Sequence, residues 1–256
     1  MKKIGSVAAF VLSSFYLPAQ ALVGTTGLLG LPSADMQEAG TLSIGGTVLN
    51  KHFCPAEFTY QTYNYYANAS VLSFCEISFS KTLLKLDLPD DPDASGKFNN
   101  ADRSLSARFR LVQESKKLPA LVIGMNDIYS QSNHDFMGDG QHNQYFGKVY
   151  AALRKSFGIA AAGMLETHLI YQYERNFGQS LYKGCAAALA FRPAFCPGLQ
   201  LISEYDVSKH NWNNGFNAYL FRHFFAQFIL QNGKYISGGI ALQFHLNPIN
   251  RKTHET

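Results

Sequence analysis

The chain has 256 residues, of which 46% are hydrophobic and 16% are charged, whereas about 25% of an average soluble domain is charged. Its 20 Phe and 14 Tyr residues exclude a disordered chain, because so much apolar surface offsets the entropy of ordering. The net charge is only +4, which argues against a nucleic-acid-binding protein, because such a protein should show a strongly basic surface. No long apolar run follows the N-terminal region, and this excludes a helical membrane protein. A large soluble β-domain and an outer-membrane barrel remain as explanations.

The N-terminal residues have the pattern of a cleaved secretory signal. Two lysines precede an apolar stretch at residues 4–16, and the small-residue sequence Ala19-Gln20-Ala21 follows. An apolar stretch of this length is too short to cross a bilayer as a helix. We therefore predict that residues 1–21 are a signal peptide, which directs the chain to the periplasm.

Residues 22–40 are rich in glycine and are predicted to form a periplasmic lead-in or plug segment. Pro32 and Ser33 favour the start of a short helical turn, and Gly40 favours its end. This segment precedes the first stretch with a clear β-pattern.

Beyond Gly40, apolar and polar residues alternate with a period of two, which is the pattern of β-strands with one apolar face. In the last segment, for example, Leu242 and Phe244 alternate with Gln243 and His245. Several such stretches reach about ten residues, which exceeds the usual strand of a globular protein and suits a tilted crossing of a bilayer.

The alternation predicts about twelve antiparallel strands that form a transmembrane β-barrel over residues 41–246, with a C-terminal tail at 247–256. The predicted strands lie near residues 41–50, 59–69, 71–83, 102–115, 118–129, 143–156, 158–169, 179–192, 199–207, 214–222, 226–231 and 235–246. Tight turns are expected at Ser73, Lys116-Lys117, Ser156-Phe157, 192–198 and His223-Phe224, and longer polar loops at 51–58, 84–101, 130–142, 170–178 and 208–213. Short turns on one side and long loops on the other are typical of outer-membrane barrels.

The polar face of the strands carries few charges, and these have both signs. A soluble β-sandwich also alternates apolar with polar residues, but its outer face meets bulk water and carries more charge. We therefore interpret the polar face as a lumen in which charges pair. The charged candidates for this lumen are Glu76, Arg108, Arg110, Lys148, Arg154, Glu166, Glu204 and Asp206.

Aromatic residues cluster near the predicted strand ends, where they would form the interfacial girdles of a membrane barrel. The alternative is that aromatic residues are simply favoured in any strand. The residues assigned to the girdles are Tyr60, Tyr63, Tyr65, Tyr66, Tyr171, Tyr173, Phe221, Phe224 and Phe225.

No sequence motif indicates a metal site, a cofactor or an enzyme. The four cysteines lack a CxxC spacing and are predicted to be free, at Cys54, Cys75, Cys185 and Cys196. Carboxylates that would suit Ca²⁺ occur in two predicted loops. We favour the interpretation that these loops are solvated turns without a bound ion. The carboxylates are Asp87, Asp90, Asp91, Asp93, Asp135 and Asp139.

A barrel enzyme that modifies lipids would need a Ser and a His that meet at the wall or the rim. The chain has no G-x-S-x-G elbow and no P-loop. Ser180, Ser237, His168 and His245 are therefore interpreted as polar residues of the lumen or the interface, and the chain is predicted not to be an enzyme.

The stretch from Gly24 to Leu42, GTTGLLGLPSADMQEAGTL, resembles the opening of the YjbH-like outer-membrane proteins associated with exopolysaccharide production. A second block resembles the same family, with Asp102-Arg103-Ser104-Leu105 leading into Arg108, then Pro119-Ala120, Gly124 and Asp127. This resemblance implies a non-enzymatic barrel that assists the export or surface assembly of an exopolysaccharide or capsule.

The alternatives to that function are a passive pore or structural barrel, then a lipid-modifying enzyme, and last a secreted soluble β-domain. The expected location is the outer membrane. The expected partners are membrane lipid, lipopolysaccharide and periplasmic polysaccharide-assembly proteins.

Overall fold

The computed structural model describes residues 24–54, 60–85, 98–132, 146–174, 182–221 and 223–246. In these ranges, twelve antiparallel strands follow one another, and the last strand pairs with the first to close a barrel. The strands are β1 Thr41–Leu49, β2 Thr62–Leu72, β3 Cys75–Lys85, β4 Phe98–Val112, β5 Ala120–Ser132, β6 Lys148–Ile159, β7 Gly163–Glu174, β8 Tyr182–Pro193, β9 Leu199–Asp206, β10 Asn211–Leu220, β11 Phe224–Gln231 and β12 Tyr235–His245. The predicted twelve-stranded antiparallel barrel is confirmed. The predicted signal peptide and C-terminal tail lie outside the described residues.

The two faces of the wall have opposite character. Leu169, Leu189 and Leu201 are 53%, 54% and 45% exposed on the outside, whereas inward-facing residues such as Ser106 and Asn217 are buried. Water-soluble proteins show the reverse arrangement, with apolar residues inside. An apolar exterior around a polar interior is the arrangement that a lipid bilayer requires of a closed barrel, and it excludes the soluble sandwich.

The barrel closes where β1 meets β12, with Thr41 opposite His245 and Val48 opposite Gly238. Closure leaves no exposed sheet edge at this seam, so the backbone donors and acceptors of β1 and β12 are paired within lipid. Among the described residues, we find no helical segment of the length and apolarity that a membrane crossing needs.

Several predicted strand boundaries are wrong, although each predicted strand exists. The tight turn expected at Ser156-Phe157 lies within β6, and the chain turns at residues 160–162. Strand β6 continues there because it stays paired with β7 as far as Ile159 opposite Gly163. On its other edge, Glu114 accepts hydrogen bonds from the backbone N–H and the hydroxyl of Ser156, at 2.8 and 3.0 Å. The loop predicted at 170–178 begins too early, since β7 extends to Glu174.

Two of the residues assigned to the aromatic girdles face the lumen instead. Tyr66 and Phe225 are 4% and 1% exposed and pack with Ala241 inside the barrel. Tyr66 follows the outward-facing Tyr65 directly, so alternation places its ring on the inner face. Gly45 makes room for this ring, because a Cβ at that position would lie 2.5 Å from the Tyr66 hydroxyl oxygen.

The exposed face of β12 provides a test of the membrane assignment. Leu242 is 47% exposed, so Leu242→Arg would place a charge against lipid and lower the free energy of unfolding by about 2–4 kcal/mol near the bilayer midplane. The matched change Leu242→Ala removes apolar area without adding a charge and should cost less. Urea titration in lipid vesicles measures both changes through the fluorescence of Trp212, the chain's one tryptophan, which is 55% exposed on the wall. Equal loss in the two variants would contradict a lipid-facing position.

Candidate functional site

Residues 24–40 run through the interior of the barrel, and we call this segment the plug. Leu28 and Leu29 are fully buried. The plug folds back on itself through a bridge between Gly27 and Pro32, and the N–H of Leu28 donates to the carbonyl of Leu31 at 2.9 Å. The helical turn predicted from Pro32 and Ser33 is therefore wrong.

Glu204 of β9 binds the tip of the plug. Its carboxylate accepts hydrogen bonds from the backbone N–H groups of Leu29, Gly30 and Leu31 at 3.2, 2.7 and 3.3 Å. The side-chain amide of Asn213 donates to the same carboxylate at 2.8 Å. Since Glu204 is 1% exposed, these four donors replace the water that a buried carboxylate would otherwise need.

Arg108 of β4 holds the same segment through its carbonyl groups. Its guanidinium donates to the backbone oxygens of Thr26, Ser33 and Asp35. These contacts explain why no helix begins at Ser33, because two carbonyls that a helix would use internally accept from Arg108 instead. Arg108 itself is fully buried.

Glu76 of β3 lies directly opposite Arg108 in the sheet register. It accepts hydrogen bonds from the backbone N–H and the hydroxyl of Thr26 at 2.6 and 2.7 Å, and from the Asn68 amide at 2.7 Å. Thr26 is thus bound by a carboxylate at its N–H and by a guanidinium at its carbonyl. One neighbouring charge pair on the wall therefore positions this residue of the plug.

Polar side chains on other strands complete the contacts of the plug. The amide of Gln227 on β11 donates to the carbonyl of Leu28 at 2.9 Å. On the β2 side, Asn68 donates to the carbonyl of Gly24 at 2.6 Å and Ser70 donates to that of Gln37 at 3.1 Å. Glu76 on β3 and Glu204 on β9 lie six strands apart in the ring of twelve, so opposite sides of the barrel bind one short segment, which crosses the lumen.

A charged cluster surrounds Asp35 near the end of the plug. Arg154 of β6 pairs with the Asp35 carboxylate and, through its other terminal nitrogen, with Glu114 at 2.9 Å. Burial raises the pKa of the Asp35 carboxyl, but the positive charges of Arg154 and Arg192 outweigh it, and the pKa falls to about 2. Asp35 therefore carries its negative charge inside the barrel at neutral pH.

The remaining lumen candidates divide between the two ends of the barrel. At the end opposite the short turns, Lys148 pairs with Glu174 at 2.9 Å and Asp206 accepts from Gln172 at 2.7 Å. At the short-turn end, Arg110 donates to the carbonyl of Ser73 at 2.5 Å. Glu166 of β7 accepts from Arg192 at 3.2 Å, beside the Asp35 cluster.

Seven of the eight charged candidates thus lie on the inner side of the wall, whereas Arg110 lies at the short-turn rim in an exposed contact with Ser73. Four of the seven contact the plug directly. The four that contact it are Glu76, Arg108, Arg154 and Glu204. Sequence reasoning missed Arg192, although it occupies an inward position of a predicted strand and could have been found by extending the alternation. It also missed Glu174, because that residue falls in the loop predicted at 170–178. His168 was interpreted only as a polar residue of the lumen or the interface. Asp35 had no such signal because it lies outside any strand.

Among the described residues, no hydrogen bond joins the Ser and His residues that were considered for an enzyme. Ser237 accepts a hydrogen bond from the N–H of Asn50 at 2.8 Å, and His245 bonds to the hydroxyl of Thr41 at 3.0 Å. Ser237 and His245 are eight positions apart on β12, a span of about 26 Å along an extended strand. Ser180 lies outside the described residues.

The four cysteines are free, as the sequence predicts. Cys54 and Cys75 are partly buried, and Cys185 and Cys196 are exposed. The acidic residues considered for Ca²⁺, at 87, 90, 91, 93, 135 and 139, lie outside the described residues.

Residues 19–135 match the family model YjbH, described as exopolysaccharide biosynthesis protein YbjH. This match confirms the resemblance predicted from the sequence. No curated protein matches the chain.

Two solved structures match the chain at low sequence identity. The KdgM porin is 8% identical, with a TM-score of 0.47 over 81% of this chain and 99% of that one. An outer membrane channel from Pseudomonas putida F1 is 11% identical, with a TM-score of 0.45 over 82% of this chain and 96% of that one.

Removing the charge of Glu204 should loosen the tip of the plug. In Glu204→Gln, an NH₂ group that cannot accept replaces one of the two oxygens that accept from the backbone N–H groups of the tip. We therefore expect the free energy of unfolding to fall by about 1.5–3 kcal/mol, the strength of hydrogen bonds to charged groups. Hydrogen-exchange mass spectrometry should show faster exchange at the amides of Leu29, Gly30 and Leu31.

The matched control for this change is Glu174→Gln, which also neutralises a buried wall carboxylate. Glu174 pairs with Lys148 and Lys209, and no ion pair joins it to the plug within the described ranges. Exchange at the plug tip should stay as in the wild type in this variant. Unchanged exchange in Glu204→Gln would show that Glu204 does not hold the tip.

Proposed function

We propose that this chain is a non-enzymatic outer-membrane barrel that assists the export or surface assembly of an exopolysaccharide. The description of the matching family supports the link to an exopolysaccharide. The apolar outer wall around a polar interior supports the location. The observation that carries the proposal furthest is the plug, because polar and charged groups of the inner wall bind its backbone inside the lumen.

The groups that bind the plug are of the kind that also bind sugar hydroxyls. Glu204 and Glu76 accept hydrogen bonds, Arg108 donates them, and the amides of Asn68 and Gln227 donate to backbone carbonyls. A hydroxyl-rich polymer offers both donors and acceptors, so it could exchange with the backbone of the plug at these positions without leaving buried groups unpaired. The plug then occupies the route of the glycan until the glycan replaces it.

A passive pore is the second candidate, and the polar lining of the lumen favours it. The plug opposes this function, because Thr26, Leu28 and Ser33 are fully buried in the middle of the interior. A passive pore would require the plug to leave without a polymer that takes over its hydrogen bonds. The expected partners of the exporting barrel are lipid and lipopolysaccharide at the wall and periplasmic assembly proteins at the short turns.

The function is tested by deleting the gene and measuring surface polysaccharide per cell. We expect the polymer to fall and to return when the wild-type chain is supplied. Unchanged surface polymer after deletion would reject the proposed function. Purified barrel in planar bilayers should conduct little, whereas a steady open-pore conductance of the wild type would favour the passive pore.

A variant pair on β4 then tests the role of the plug. Arg108→Gln removes the donors to three plug carbonyls, so we expect higher conductance and less surface polymer per folded barrel. Arg110→Gln makes the same chemical change two residues further along the strand, where the side chain contacts Ser73 instead of the plug. The Arg110 variant should behave as the wild type, and equal effects of both variants would contradict a role for the plug.

A further inference from the structure

Three buried side chains with metal-binding atoms meet where the plug contacts the wall. Glu166 and His168 project inward from β7, and Asp35 approaches them from the plug. One donor atom from each of the three residues lies within 4.8 Å of the other two. The sequence does not predict this cluster, because Asp35 is more than 100 positions along the chain from Glu166 and His168.

His168 is the unusual member of this cluster. Its side chain is 4% exposed, and neither ring nitrogen has a hydrogen-bond partner within the described part of the chain. Burial of an imidazole with both nitrogens unsatisfied is costly. A neutral imidazole nitrogen is also the commonest protein ligand for transition metals. The ring therefore lacks a partner at a position where two carboxylates lie within reach.

Neighbouring groups already hold the two carboxylates in place. Glu166 accepts from the Nε of Arg192 at 3.2 Å and from the amide of Gln200 at 2.7 Å, while the hydroxyl of Ser33 donates to Asp35 at 3.1 Å. Contacts of this kind orient the ligands of metal sites and tune their affinity. They restrict the carboxylates without occupying every oxygen lone pair.

Arg154 lies between the two carboxylates and would have to yield to a metal ion. One terminal nitrogen pairs with Asp35 and lies 3.8 Å from Glu166. The other terminal nitrogen bonds to Glu114 at 2.9 Å. Arg154 can therefore keep a carboxylate partner when its first nitrogen is displaced.

We propose that Asp35, Glu166 and His168 bind a divalent transition-metal ion of the zinc class and so join the plug to the wall. One imidazole nitrogen and two carboxylate oxygens suit Zn²⁺, whereas Ca²⁺ and Mg²⁺ prefer ligands that are all oxygen. The donor atoms around a tetrahedral zinc ion lie about 3.4 Å apart, so the side chains close by roughly an ångström on binding. A water molecule completes the coordination.

The test measures zinc binding to the folded full-length barrel in detergent, by calorimetry and by metal content after dialysis. We expect one zinc ion per chain, and His168→Ala should weaken binding about tenfold or more. The matched control is His245→Ala, a histidine of the wall at the end of β12, which should bind as the wild type does. No binding at micromolar zinc, or equal binding by the wild type and the His168 variant, would overturn the proposal.

A second variant is expected to bind zinc more tightly than the wild type, which a misfolded protein would not do. Arg154→Gln removes the charge that competes with the ion, so its zinc affinity should exceed that of the wild type. Zinc should also slow hydrogen exchange in the plug of the wild type and leave that of His168→Ala unchanged. Weaker zinc binding by Arg154→Gln, or slower plug exchange with zinc in the His168 variant, would overturn the site.

Discussion

The interior of this barrel depends on one constraint, which is that a backbone segment inside a closed lumen must find partners for its N–H and C=O groups. The plug has too little regular structure to satisfy these groups itself. Charged side chains of the wall do so instead, with Glu204 at the N–H groups of the tip and Arg108 at the carbonyls. Hydrogen bonds to charged groups are the stronger kind, which compensates for the desolvation of each charge.

This constraint links the stability of the plug to the chemistry of the lumen. Because Glu76 and Arg108 are register partners on adjacent strands, loss of either one leaves the other buried with fewer partners. The same groups can release the plug only to a ligand that offers donors and acceptors in return. A polymer with many hydroxyl groups meets this requirement, while a small ion or water alone replaces the contacts less completely. The polar lumen therefore supports the proposed exchange of the plug for a polymer over free passage.

The sequence predicts the wall of the barrel well because alternation is local. Each strand shows its apolar face within a few residues, so the outward position of Leu242 and the inward position of Gln243 follow from neighbours alone. Tyr65 and Tyr66 are consecutive aromatic residues, and composition alone assigns both to a girdle. The register of β2 in the structure shows that one of the two rings faces inward. The path of the plug could not be predicted, since its contacts join Leu29 to Glu204 across most of the chain.

The cluster at Asp35 illustrates why such interior sites escape sequence reasoning and how they relate to the plug. Arg154, Arg192 and the carboxylates of Asp35, Glu166 and Glu114 lie together there. Lys155 lies 3.8 Å from Glu114, so three positive groups face three negative ones, beside an imidazole with no hydrogen-bond partner among the described residues. Asp35 belongs to the plug, whereas the other groups belong to the wall and its turn. A cation bound there therefore binds the barrel more tightly with the plug inserted than with the plug released, and this difference in affinity stabilises the inserted state. The occupancy of the cluster and the position of the plug are therefore one coupled equilibrium.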